Sequence, residues 1–289
     1  MQRFLYLASL IFIYPISVLP LGVLYLLSDL LHLILYRMLK YRVEVVRDNL
    51  KHSFPERSTS ELADLEKRFY RYFCDLIVES LKAFTISESE LRQRLVFEDT
   101  SPFKKHFDHN QSVIVMMGHW GNWEWGGLRF ALEPLHNMYA VYKPQKSASA
   151  DRLTQKLRTR FGNGLYRMKS TLRGMLENKD KVTATSFLAD QSAPDKNALR
   201  IQFLNQETKV FLGGAKIAKK LNQSVIYAGI KRVKRGYYSI HLEELASEPK
   251  NLEPEEIVKL FFQRLEKDIQ VQPETWLWTH KRWKHTRNK

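Results

Sequence analysis

Residues 111–124 read Gln111-Ser112-Val113-Ile114-Val115-Met116-Met117-Gly118-His119-Trp120-Gly121-Asn122-Trp123-Glu124. The apolar run Val113–Met117 is short and rich in β-branched residues, which is the pattern of a buried strand. Gly118 and Gly121 allow a tight turn, and Asn122 has the side chain to cap a following helix. The stretch therefore predicts a strand–turn–helix corner. His119 stands at the carboxyl end of the strand and Glu124 in the first turn of the helix. In open α/β sheets, ligands gather at such strand ends.

An imidazole accepts a proton near neutral pH, and a carboxylate on its other nitrogen fixes the tautomer and stabilises the imidazolium. The five-residue offset between His119 and Glu124 does not align two side chains on one helix face, but a corner can bring them together. With no activated Ser or Cys beside it, His119 suits a base that deprotonates the substrate's own hydroxyl, with Glu124 orienting it. A structural His–Glu pair has the same spacing, so local sequence alone leaves both open.

Outward from this corner, the chain from about residue 96 alternates strand-like and helical runs. The strand-like runs are Val113–Met117, Met138–Tyr142, Val182–Ala189, Leu199–Phe203, Ser224–Ile230 and Tyr237–Leu242. The helical ones lie near Trp123–Leu132, Ala148–Arg160, Thr171–Glu177, Gly213–Leu221 and Pro254–Gln270. Such alternation predicts an α/β protein with a mixed central sheet flanked by helices. Asp190-Gln191 follows a strongly apolar strand and so also falls at a strand's carboxyl end. Asp190 there is able to orient His119 from a second direction, to bind a substrate hydroxyl, or simply to turn the chain. Arg152, Lys156, Arg158 and Arg160 share one predicted helix, where they form either a solvated face or a phosphate-binding face. Gly213-Gly214 opens a helix, which offers N–H groups to an anion or permits close packing.

The N-terminal part is all helical in pattern. Phe4–Leu27 carries no charge and is long enough to span a bilayer core, although Pro15 and Pro20 interrupt it, leaving a kinked span, an interfacial anchor or a core helix. Arg37, Lys40, Arg42, Arg47 and Lys51 follow it against Arg3 before it, so the positive-inside rule puts the body in the cytoplasm. Ser58-Thr59-Ser60-Glu61 then starts a long amphipathic helix with Leu62, Leu65, Phe69, Phe73, Leu76, Ile77, Ser80, Leu81 and Phe84 on one face. It reads as scaffold.

The 289 residues carry a formal net charge of +15, and 44% of them are hydrophobic. This is a globular composition whose field favours anionic partners: nucleic acid, membrane surface, phosphorylated lipid or an acidic carrier protein. The single cysteine, Cys74, excludes an internal disulfide and lies on an apolar helical pattern. All six tryptophans fall in two clusters, Trp120, Trp123, Trp125 and Trp276, Trp278, Trp283. They suit a membrane interface, an apolar channel or a core. The second is followed by Lys281, Arg282, Lys284, Arg287 and Lys289, a composition that also fits lipid headgroups or nucleic acid.

His119-Trp-Gly-Asn-Trp-Glu124 after a hydrophobic strand resembles the His-x4-Asp/Glu motif of the glycerolipid acyltransferase superfamily, and in detail its late acyltransferases of lipid A biosynthesis. The resemblance runs along nearly the whole chain. It includes Arg42…Asn49-Leu50…Phe54-Pro55-Glu56, Asp190-Gln191, Phe203, Gly213-Gly214-Ala215, and Trp276-Leu277-Trp278-Thr279-His280-Lys281-Arg282-Trp283-Lys284. Where that family has Phe-Phe-Gly, this chain has Phe203-Leu204-Asn205.

The resemblance implies a bacterial inner-membrane O-acyltransferase with its catalytic domain on the cytoplasmic side. It would move a fatty acyl chain from acyl carrier protein or acyl-CoA to a hydroxyl of a phosphorylated lipid acceptor, without metal or cofactor. It implies His119 and Glu124 as catalytic residues, and Arg158, Arg160, Asp190, Gln191 and Asn122 at the substrate. The expected organisation is a membrane anchor over 1–37, a helical basic segment over 38–95 and the acyltransferase domain over 96–289. A lysophospholipid, aminolipid or glycolipid acceptor fits the same chemistry, and a non-catalytic anionic-lipid or nucleic-acid binder fits the charge. The apolar N-terminus and the lack of a nucleic-acid module argue against nucleic acid.

Overall fold

The computed structural model describes residues 2–133, 135–193 and 198–284. Arg287 and Lys289, counted above with the basic tail, lie outside these residues. The chain begins with α1 (Gln2–Val18) and α2 (Leu21–His32), the latter running on through a π-helical turn at Leu33–Met38. Then come α3 (Val43–Ser53), α4 (Thr59–Lys82), α5 (Glu88–Arg94), β1 (Leu95–Phe97) and α6 (Ser101–Phe107). The sheet region continues as β2 (Val113–Met117), α7 (Trp123–Ala131), β3 (Asn137–Tyr142), α8 (Ala148–Arg158) and β4 (Gly164–Arg167). It ends with α9 (Thr171–Glu177), β5 (Thr183–Leu188), β6 (Leu199–Phe203), β7 (Gln206–Val210), α10 (Gly213–Leu221), β8 (Val225–Lys234), β9 (Tyr237–Ala246) and α11 (Pro254–Val271).

Seven strands form one mixed sheet in the order β1-β9-β8-β2-β5-β3-β4. Strands β8, β2, β5, β3 and β4 are parallel, while β9 runs antiparallel to β8. The predicted mixed α/β architecture is thus what forms. β2 lies between β8 and β5 and all five of its residues are buried, which is why its sequence is continuously apolar rather than alternating. Ile114 and Met116 enter the core on one face, and Val113, Val115 and Met117 the core on the other.

Leu199–Phe203 is a strand, as its pattern predicts, but it pairs only with Gln206–Val210 in a separate hairpin. Leu204 (φ 51°) and Asn205 (φ 58°) turn this hairpin in the left-handed region. That conformation favours Gly or Asn, which suits Asn205 at this turn.

The long helix α4 starts on the predicted capping box, with Ser58 and Glu61 bonding each other's backbone N–H. Besides the apolar face it buries Glu66, Asp75 and Glu79, each held by partners. Cys74 is buried and free, and burial pushes its thiol up to about 12, which makes it an inert core residue.

The uncharged N-terminal stretch is two helices rather than one element over Phe4–Leu27, because the chain breaks at Leu19-Pro20. Among the described residues one helix is long and apolar enough to cross a membrane, Leu21–Met38. Leu21, Leu24 and Ser28 of α2 are buried, with Ser28 donating to Asp75 at 2.7 Å, and Asp29 pairs with Arg235. Leu26, Leu30, Leu33, Met38 and Leu39 remain exposed.

Candidate active site

In β2 and β5 the register pairs Met117 with Leu188. Both chains then leave the sheet side by side, joined by Ala189 N–H donating to the Met117 carbonyl at 2.9 Å. Two residues beyond the paired positions stand His119 and Asp190. His119 Nδ1 lies 2.5 Å from Asp190 Oδ1, and the His119 backbone N–H donates to Oδ2 at 2.9 Å. Trp276 Nε1–H donates to the same Oδ2 at 2.9 Å.

Asp190 is 3% exposed. Burial alone would raise its pKa, but the adjacent His119, the bond to it and the charge of Arg282 hold the carboxyl well below the usual range. An ionised carboxylate only accepts, so in the neutral imidazole the proton of this bond sits on Nδ1 and Nε2 keeps its lone pair. Nε2 lies 3.5 Å from the Gln191 side-chain amide, and Trp123 packs edge-on against the ring at 5.0 Å.

Glu124 is paired with Arg158 and makes no hydrogen bond to His119. It stands in the first turn of α7, as predicted, but both of its oxygens face α8, where Arg158 Nη2 and Nε donate at 2.6 and 3.1 Å. A five-residue step around a corner turns Glu124 away, whereas the strand register brings Asp190 in. Desolvation would lower the Arg158 pKa, but Glu124's charge and hydrogen bonds raise it, so the guanidinium stays charged. The pair edges a cavity of about 40 Å³ that Met117, Trp123, Gly127 and Ser186 also line.

Two other residues expected at the substrate are engaged inside the protein. Asn122 is fully buried: its carbonyl caps α7 by accepting from Trp125 N–H at 3.0 Å, and its amide donates to Glu79 at 2.7 Å. Arg160 donates to the Ala83 carbonyl at 2.8 Å rather than joining Arg158. Gly121 has φ +70°, and a Cβ there would meet the Ile230 carbonyl oxygen at 1.7 Å. Its N–H donates to the Thr275 carbonyl at 3.0 Å and so is not free for an oxyanion. Of the glycine pair, Gly214 packs closely beneath Met116 and Phe187, whereas Gly213 has open space around it.

Sequence reasoning missed three supports. Glu79, buried on the scaffold helix, accepts from Asn122, Tyr25 and Tyr238 and so anchors the start of α7. The C-terminal segment forms the far wall, with Leu277 N–H on the His119 carbonyl at 3.1 Å and Trp120 bridged to Trp276. The Trp-Leu-Trp motif marked this segment, though not its role. Trp276, Trp278 and Trp283 are core residues that each spend their N–H on an internal acceptor, as do Trp120 and Trp125. Arg282 also is buried at 2% exposure, between Phe203 and Phe262, rather than on a lipid-facing tail.

Fold and site together are those of an α/β protein that presents a carboxylate-oriented imidazole at the carboxyl edge of its sheet. The chain belongs to the bacterial lipid A biosynthesis acyltransferases, whose family model matches residues 1–285. It is 24% identical over 248 residues to the lipid A biosynthesis palmitoleoyltransferase of Escherichia coli (strain K12), covering 85% of this chain and 80% of that one. The same identity and coverage hold for the lipid A biosynthesis acyltransferase of Shigella flexneri. The protein is thus an acyltransferase of lipid A biosynthesis, with a lipid acceptor and an acyl donor.

Proposed function

We propose that the protein transfers a fatty acyl chain from an acyl thioester, carried by acyl carrier protein, to the 3-hydroxyl of a fatty chain already on a lipid A precursor. The observation that carries this reading is the His119–Asp190 pair, with Nε2 left as the lone-pair nitrogen. Asp190 holds the tautomer. His119 Nε2 takes the hydroxyl proton as that oxygen attacks the thioester carbonyl, and the tetrahedral intermediate collapses with loss of the thiolate. The imidazolium, stabilised by Asp190, returns its proton to the thiolate. Glu124 acts through Arg158. It fixes a charged guanidinium beside the site, whose role is to stabilise the oxyanion or to bind a donor or acceptor phosphate. Gln191 adds a polar contact next to Nε2.

The exposed apolar side chains of α1 and α2, from Ile11 and Phe12 to Leu30, together with Leu33, Met38 and Leu39 just beyond, form a face that has no place in water. The same α2 is pinned to the protein body through Ser28 and Asp29. We infer that this face is immersed in the cytoplasmic leaflet of the inner membrane, beside the acceptor.

The test is transfer by the full chain in detergent, with acyl carrier protein thioester as donor and a lipid A precursor as acceptor, read by mass spectrometry. One added acyl chain per lipid is expected from the wild type, with at least a ~100-fold slower rate for His119→Ala. Transfer by that variant at the wild-type rate would remove His119 from the mechanism. Transfer to lysophospholipid alone would move the acceptor.

A further inference from the structure

Where α2 ends, the chain makes an abrupt turn into α3. Lys40 (φ 47°) and Arg42 (φ 54°) both adopt the left-handed conformation, which side chains other than glycine enter only when the surroundings hold them there. Beside this turn lies a cleft of about 650 Å³. Six cationic side chains line it, Arg37, Lys40, Arg42, Arg47, Lys67 and Lys281, against the two carboxylates Glu44 and Glu66.

Glu66 is already satisfied, since it accepts both Arg47 N–H groups at 3.1 Å and the Tyr36 hydroxyl at 3.0 Å. Among the described residues Arg37, Lys40 and Lys281 form no ion pair, so the cleft keeps a clear excess of positive charge. α3 starts here without a side-chain cap, and its first residues Val43, Glu44 and Val45 form part of the wall. Met38, Leu39 and Tyr41, interleaved in sequence with the lining Arg37, Lys40 and Arg42, are exposed by 70%, 67% and 41%, so apolar side chains flank the cationic ones. A cationic hollow with an apolar lip, at the end of an apolar helix, matches the level of a bilayer at which phosphates sit above acyl chains.

We propose that this cleft binds the phosphate of an anionic membrane-lipid headgroup. An acidic protein would satisfy the charges but would leave the apolar lip in water. Arg42 also donates to the Thr279 carbonyl at 3.0 Å, and Asn49 on α3 to the Trp278 and His280 carbonyls. The cleft is therefore tied to the C-terminal segment that walls the His119 site. The proposal rests on the membrane-facing placement of α2 given above. Soluble short-chain lipids test the cleft without any bilayer, so failure of one and failure of the other are distinguishable.

The full chain in nonionic detergent is titrated calorimetrically with dihexanoyl phosphatidylglycerol, dihexanoyl phosphatidylcholine and inorganic phosphate. The anionic lipid should bind at least ~10-fold tighter than either of the others. Arg37→Gln with Lys40→Gln should lose at least ~10-fold, and Lys281→Gln, from a different segment, should weaken binding in the same direction. Lys259→Gln with Lys267→Gln removes the same charge from exposed positions on α11 and should change binding less than ~2-fold.

Equal binding of the two lipids, or equal loss in the α11 control, would overturn the proposal. Phosphate binding as tight as the anionic lipid would reassign the cleft to a free anion. If acyl carrier protein instead of lipid lost binding in the Arg37/Lys40 variant, the cleft would be a protein dock and the proposal wrong.

Discussion

Asp190 grips His119 twice, at the ring Nδ1 and at the backbone N–H, with one carboxylate oxygen for each. The double contact fixes the ring's rotation and the height of its strand end together, because both residues leave adjacent parallel strands in step. A carboxylate reaching His119 from a helix, as Glu124 would have to, cannot do both. The site's rigidity thus comes from the sheet register.

Asp190→Asn keeps the volume but replaces a pure acceptor with a group whose amide faces N–H donors. The favoured His119 tautomer is lost. We expect kcat to fall by roughly 10²–10⁴-fold with the fold retained, by analogy with the effect of losing the orienting carboxylate in catalytic triads. Near-ultraviolet circular dichroism checks the fold. A kcat within ~3-fold of wild type would refute the orienting role.

Glu124 and Arg158 act as one unit in this geometry. Glu124→Ala and Arg158→Ala should each lower kcat/KM, and the double variant should lose little more than the worse single one. Glu124→Ala combined with Asp190→Asn should instead be close to additive. Strong coupling in the second cycle and none in the first would return Glu124 to His119.

Glu79 sets a pH dependence of stability. Burial raises its pKa to about 7 against three hydrogen bonds that lower it. An acid whose folded pKa lies above its unfolded value binds more protons when folded. Its contribution is complete below the ordinary carboxylate range and is lost as pH rises through about 7. The loss is on the order of 3 kcal/mol, so Tm should drop by roughly 5–10 °C between about pH 5 and pH 8. Glu79→Gln should flatten that slope, and an unchanged slope would place the titration elsewhere.

Gly121→Ala should fail through backbone geometry. Its Cβ would sit inside the Ile230 carbonyl and on a residue with φ +70°. We expect a destabilisation of at least ~3 kcal/mol, visible as loss of folded protein on a thermal melt, while Gly213→Ala, with open space around its Cβ, changes Tm by little. Equal melting of the two variants would contradict the close approach.

Much of this was legible along the chain. Apolar runs of the right length located five of the seven strands of the sheet but not its short edge strands β1 and β4, the Ser58–Glu61 box located the start of α4, and the position of His119 at a strand end follows from five apolar residues and two glycines. Periodicity and capping are local, so sequence carries them whole. Pro20 also signals a break, but whether it kinks one element or separates two depends on what packs against each side.

What tertiary structure alone decided is who meets whom. The partner of His119 is 71 residues away because β2 and β5 pair in one register. Asn122 and Arg160 turn inward to Glu79 and Ala83, and the C-terminal tryptophans and Arg282 are core rather than surface. Charge and amphipathic character are properties of a residue. Burial and pairing are properties of a register between distant segments, and no single stretch of sequence contains them.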